Sequence, residues 1–311
     1  MFDWLRYFPL SLGFKQTYDY VVPKGPYFSA LKQLGWRFGD SEFSFSAPST
    51  NRVWGNSRYA RKAAVRNFAM SKDVLKLSLE NYSPSFMPTL SWQYNRFFVR
   101  EWIFVGPWFS GEKASLSMFI EVVGKSQDHQ FEGSFFHPRV FESAVSDWLD
   151  AYYGYRKSGS KAAFGGPVDW RILDISDTVK SVRFEIQKIE ASKENPKIYQ
   201  HVMMPIAHDR FINISFNFSG LRRVEKYLDT TPVFELCDSI INSFKLKIGP
   251  ATLSERNKVA NTCPDMDVTP EFGELQWPTK KYPNRGKSKT QENERDITNQ
   301  KDKSVPKLEK Q

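Results

Sequence analysis

Hydrophobic and polar residues alternate with two different periods along this chain. Between residues 139 and 153, Phe141, Ala144, Val145, Trp148, Leu149 and Tyr152 fall at i, i+3, i+4, i+7, i+8 and i+11. Glu142, Ser143, Ser146, Asp147 and Asp150 fill the opposite side. That spacing predicts an amphipathic helix, opened by Pro138 and closed by Gly154. The same pattern returns at Val233, Leu236, Cys237, Ile240, Ile241 and Phe244, with Thr231 as predicted N-cap and Pro232 as first helical residue. The regions before each helix follow a period of two. Residues 97–105, 116–123, 168–175, 179–190, 198–206 and 210–218 are predicted strands. Leu75, Leu77 and Leu79, alternating with polar residues, suggest a half-buried strand, and 244–248 a short last one.

The sequence therefore predicts an α+β fold with two similar blocks of mainly antiparallel sheet, each followed by one amphipathic helix. Phe119-Ile120 and Phe211-Ile212 lie 92 positions apart, and Val140-Phe141-Glu142 and Val233-Phe234-Glu235 lie 93 apart. This spacing suggests a tandem duplication. The expected division is an aromatic N-terminal arm at 1–40, with a short helix at 27–36, then blocks at 41–155 and 156–250. An irregular extension at 251–277 and a disordered basic tail at 278–311 follow. Residues 204–216 (MPIAHDRFINISF) and 233–248 (VFELCDSIINSFKLKI) place antiparallel strands before a helix that returns to a strand. In this order the second block resembles the Mog1/PsbP-like α+β fold. The resemblance involves no catalytic motif, and its members being mostly binding or adaptor proteins, it implies a binding role.

Composition changes the picture in two places. The 311 residues carry 44 Lys+Arg against 35 Asp+Glu, a formal charge of +9. Residues 278–311 hold 10 and 5 of these, leaving 34 and 30 for the rest, so over half the net charge belongs to the tail. The body is nearly balanced, so the net charge argues for nucleic acid or an anionic membrane surface mostly through the tail, with the basic cluster at 58–66 as the second element of that alternative. The tail's few large apolar residues cannot offset the entropy of ordering it. Aromatic residues make up 15% of the chain, which excludes a disordered protein. Ten of them fall in 82–109, and residues 81–95 carry no charge. That segment reads either as core or as an aromatic contact surface, with Trp92, Tyr94, Trp102 and Trp108 as partner-binding anchors. Alternation along 97–104 puts Phe98, Arg100, Trp102 and Phe104 on one face, and Phe97, Val99, Glu101 and Ile103 on the other.

Catalytic chemistry has few candidates. The four histidines form neither HExxH nor HxH, and the two cysteines, Cys237 and Cys263, are too few for a disulfide framework and have no CxxC partner. No metal and no cofactor is expected. Val123-Gly124-Lys125-Ser126 ends like a phosphate-binding loop, but Phe119 stands where its first glycine would be. His208 and Asp209, at a predicted turn, are the best candidate for proton transfer in an enzyme of unrecognised type, though a polar hairpin turn uses the same residues. His129 beside Asp128 reads the same way, and His137-Pro138 opens the first helix. Two basic clusters could hold anions: Arg58, Arg61, Lys62 and Arg66, and Arg156, Lys157 and Lys161. Each also reads as a solvated face or linker. The N-terminus lacks a signal-peptide pattern, no apolar run is long enough to span a bilayer, and a cytoplasmic location is expected. The three sequons at Asn81, Asn213 and Asn217 then have no secretory context. The resulting expectation is a non-catalytic protein-binding module: an adaptor, an effector chaperone or an inhibitor.

Overall fold

A computed structural model describes residues 16–17, 20–26, 31–51, 72–81, 92–106, 111–126, 132–154, 164–188, 198–220, 228–263 and 265–267. Twelve strands and three helices are found among them. A short ladder joins β1 (Gln16–Thr17) to β2 (Tyr20–Val21), and a hairpin joins β3 (Leu31–Phe38) to β4 (Ser41–Pro48). β5 (Glu80–Asn81), β6 (Trp92–Val105) and β7 (Glu112–Lys125) precede helix α1 (Pro138–Tyr153). β8 (Phe164–Leu173), β9 (Ser181–Lys188), β10 (Ile198–Ala207) and β11 (Arg210–Ser219) precede α2 (Thr231–Asn242). The chain ends its described part with β12 (Lys245–Lys247) and α3 (Pro250–Thr262). The α+β class read from the sequence is the observed one.

The two expected blocks feed one antiparallel sheet, in the order β5-β6-β7-β11-β10-β9-β8. β7 and β11 meet at its centre, with Ile120 opposite Ile214 and Glu121 opposite Asn213. This arrangement does not confirm a duplication: α1 and α2 pack on opposite faces. α1 buries Phe141, Ala144, Val145, Trp148 and Leu149 against Val123, Val182, Phe184, Met203 and Phe211. α2 buries Val233, Leu236, Cys237, Ile240 and Ile241 against Met118, Ile120, Val202, Ile212 and Ile214. The alternating side chains of each strand thus serve two cores. β12 does not rejoin this sheet. It pairs with β4 in a second sheet, ordered β12-β4-β3, that covers the α2 face.

The buried aromatic residues are shared between the two cores, eleven on the side of the second sheet and seven under α1. Trp36 packs with Phe98 at a centroid distance of 5.0 Å and with Phe97 at 5.6 Å, and Phe43 meets Phe244 at 5.3 Å. Large rings suit this layer because each buries a large area and pairs edge-to-face with its neighbours. A bulge in β6 between Arg96 and Phe98 breaks the expected alternation. Phe97 and Phe98 therefore enter the same core rather than opposite faces.

Three elements differ from the sequence reading. Residues 31–36, expected at the end of a helix, belong to the eight-residue strand β3, because Leu34, Trp36 and Phe38 face the core once β4 lies alongside. Leu75 and Leu77 belong to a 3₁₀ turn and its cap rather than a strand. Asp73 forces the turn by accepting from the Leu75 backbone N–H, while Leu75, Leu77 and Leu79 still pack against the core. The start of the extension at 251–277, expected to be irregular, belongs to α3. α2 is capped at Thr230, one residue earlier than expected.

Candidate functional site

α3 begins next to the β3–β4 turn, where Gly39 takes a φ of 64°. Asp40 in that turn caps the helix from another part of the chain. Its carboxylate accepts from the Ala251 N–H at 2.6 Å and from the Thr252 hydroxyl at 2.6 Å. Desolvation works against the Asp40 charge, but these hydrogen bonds outweigh it and hold the carboxyl below its ordinary pKa. Gly249 is required beside it, since a Cβ there would lie 2.2 Å from the Asp40 carboxyl carbon. Only Thr252 of α3 is buried, so the helix lies on the surface and is held at its ends.

The far end of α3 meets the start of α1. His137 caps α1 by accepting the Arg139 N–H at Nδ1, 3.1 Å away. The proton of the neutral ring is then on Nε2, which donates to Cys263 Sγ at 2.9 Å. Arg139 reaches Asp265 at 4.0 Å beside it. Between the two helices and the β8–β9 connection lies a cleft of about 160 Å³. Phe135, Phe141 and Pro205 lie along it but are themselves buried. Asp177 and Lys180 of the β8–β9 connection also line it, as do Arg256 of α3 and Asp267 beyond it. Arg256 spends one N–H on Asn257 Oδ1, 3.2 Å away, and its Nε has no partner among the described residues.

Two polar sets are buried within the cores. Under α1, the Tyr153 hydroxyl donates to His201 Nε2 at 2.8 Å, and His201 Nδ1–H donates to Asn213 Oδ1 at 2.9 Å. Asn213 donates in turn to Glu121, which also receives Arg96 at 2.6 Å. Arg96 stacks on Phe119 with its guanidinium carbon 4.7 Å from the ring centroid. On the α2 side, the Cys237 thiol donates to Gln200 Oε1 at 2.9 Å, and Gln200 donates to Glu185. Burial pushes the Cys237 thiol well above its ordinary pKa and raises that of Glu185. Each group is tied to another within the protein, and sequence reading had singled out none of these sets.

The structure corrects two expected anchors. Trp92 and Trp102 are 1% and 0% exposed, so both are core rather than contact residues. Their indole N–H groups are spent inside the protein, on Asp147 at 2.7 Å and on the Pro48 carbonyl at 3.1 Å. Tyr94 is half-buried and packs against the α1 core. His208 and Asp209 form an exposed turn between β10 and β11, their side chains 67% and 39% exposed and 3.8 Å apart. Neither lines the cleft. Trp108, Arg58, Arg61, Lys62, Arg66, Arg156, Lys157, Lys161 and residues 278–311 lie outside the described residues. Among the described residues, no three His, Cys, Asp or Glu side chains converge as metal ligands, and no helix is long and apolar enough to cross a membrane.

No family model matches this sequence, and no curated protein does. One solved structure with some similarity is the apo form of the immunity protein TplEi of T6SS from Pseudomonas aeruginosa. Its identity is 10% and its TM-score 0.23, over 78% of this chain and 83% of that one.

Proposed function

We propose that this chain is a non-catalytic protein-binding module, of the adaptor, chaperone or inhibitor kind, that holds its partner along the outer edge of β3. The observation that supports this is the contrast among the outer strands. β5 and β12 have two and three residues. β8 is broken by register shifts and carries Pro167. Such devices blunt an edge against pairing. β3 has none of them. It runs for eight residues in unbroken register with β4, and residues 31–33 are exposed, with Leu31 at 45%. Only its far end is occupied among the described residues, by the bridge from Arg37 to Asp73.

An extended segment added there would gain main-chain hydrogen bonds, with side-chain preference set by alternate positions. Lys32 and Arg37 favour an acidic segment. The test compares proteins retained by the full chain with those retained by Lys32→Glu, Gln33→Pro and a His208→Ala control on the exposed turn. A partner held by the wild type and the control, but lost from both edge variants, supports the reading if amides 31–35 gain exchange protection in its complex. Retention by the edge variants, or protection elsewhere, overturns it.

A further inference from the structure

We infer that the segment held at the β3 edge is an antiparallel strand with acidic residues at its first and fourth positions and apolar residues at its second and fifth. The inference rests on the edge reading above and names the chemistry of the occupant. Backbone directions along β3 define the docking site. The Leu246 N–H is given to the Ile175 carbonyl, so Lys245 and Lys247 are the β12 residues that bond to Ser44 and Glu42 of β4. Phe43, Phe45 and Ala47 then bond to Trp36, Leu34 and Lys32. Leu31, Gln33 and Gly35 are left with their N–H and C=O groups turned outward. The spacing at Gly35 agrees. A Cβ there would lie 3.4 Å from Ser44 Cβ, the close approach of a pair that shares no hydrogen bonds. Beyond Gly35 the bridge from Arg37 to Asp73 closes the edge.

Side chains of β3 alternate between two faces. Lys32 and Leu34 share the core-facing side with Trp36 and Phe38, and Leu31, Gln33, Gly35 and Arg37 share the outer side. Lys32 and Arg37 are exposed and form no ion pair among the described residues. An acid opposite Lys32 meets it directly. An acid opposite Gly35 lies diagonal to Arg37, within reach of that long side chain and unobstructed by one at position 35. The position opposite Leu34, which packs half-buried against the core, takes an apolar residue, and the position opposite exposed Leu31 takes another. Antiparallel order follows because parallel pairing is slightly less stable per residue. It puts the acid near Arg37 toward the partner's N-terminus. A second copy of this chain does not meet these requirements, since β3 carries no acidic residue.

The probes are the synthetic peptide Thr-Glu-Val-Thr-Glu-Val-Thr, blocked at both ends, and analogues with Gln or Lys at both Glu positions. Each is titrated into the full chain and followed by amide chemical shifts. The Glu peptide is expected to move amides 31–35 and to bind at least about threefold more tightly than the Gln peptide, an advantage that shrinks with added salt. The Lys peptide is expected to bind more weakly still. Charge swaps then read register and direction. Lys32→Glu should prefer a peptide in which only the second Glu is replaced by Lys, and Arg37→Glu one in which only the first is, each by about threefold or more over the doubly acidic peptide. The crossed preference overturns the antiparallel order, and no preference overturns the pairing. Equal binding of the Glu, Gln and Lys peptides with shifts at 31–35 overturns the acidic pattern and leaves the edge reading standing. Shifts elsewhere, or none in a millimolar titration, overturn both.

Discussion

The hydroxyl of Tyr153 donates to Nε2 of His201 across 2.8 Å, beneath α1 and out of reach of water. That bond and the one to Asn213 fix the imidazole as a neutral ring with its proton on Nδ1. Burial lowers its pKa from 6.5 to about 4, against an opposing pull from Asn213. The unfolded chain therefore binds this proton more tightly than the folded one. The stability linked to this histidine is fully present above the unfolded pKa and is lost as pH falls from there through the folded value. Urea unfolding should show a loss of about 2 kcal/mol from this group between neutral pH and pH 5. His201→Gln should remove that part of the slope, and an unchanged slope in the variant would count against the assignment.

Trp102 connects the two sheets, with its ring in the aromatic layer and its indole N–H on the Pro48 carbonyl. Trp102→Ala is expected to cost about 3–5 kcal/mol, as for other large core aromatics. Trp102→Phe keeps most of the packing and leaves the Pro48 carbonyl with the bond from Arg100, so about 1 kcal/mol is expected. Chemical denaturation of the three proteins reads both values.

The two cysteines should behave differently toward a thiol reagent. Cys237 is fully buried, whereas Cys263 is partly exposed at the end of α3. Native protein is expected to react at Cys263 alone, with Cys237 following only when denaturant is added. A fast second equivalent under native conditions would mean that α2 opens far more readily than its packing implies.

α3 should be the first described helix to loosen, because its ends hold it and its body buries almost nothing. Asp40→Ala removes the cap on Ala251 and Thr252 and is expected to cost about 1 kcal/mol locally. Hydrogen exchange should quicken across 250–262 while α1 and the sheet centre stay protected. Equal quickening throughout would show that α3 unfolds only with the whole.

What was legible in the sequence follows from where each signal resides. α1 was readable because Phe141, Ala144, Val145, Trp148 and Leu149 carry the helical period and all face one core. β3 was not, since Ala30, Leu31, Lys32 and Gln33 have good helical propensity and only pairing with β4 makes a strand of this stretch. α3 lacks an apolar stripe, and its cap, Asp40, stands 211 positions from Ala251. No local pattern could announce it. The same holds for the cleft, whose lining residues come from four separated stretches of chain. His201 carries a readable signal. It alternates with Met203 on a predicted strand, which places it inward, whereas His208 lies at a turn. The aromatic count was read correctly as exceptional, but Trp92 and Trp102 spend it on packing.

The pairing of β7 with β11 and of β4 with β12 has a consequence for synthesis. When a ribosome has released residues up to 155, β7 and β4 each still lack a neighbour, and the second sheet cannot close until 245–247 emerge. The nascent first half carries long apolar strands with open edges for the whole time the second half is being made. Such a chain folds late and is prone to stick to other copies in the interval. Its yield in a cell should therefore depend on the speed of elongation and on holding chaperones more than on the stability of the finished protein.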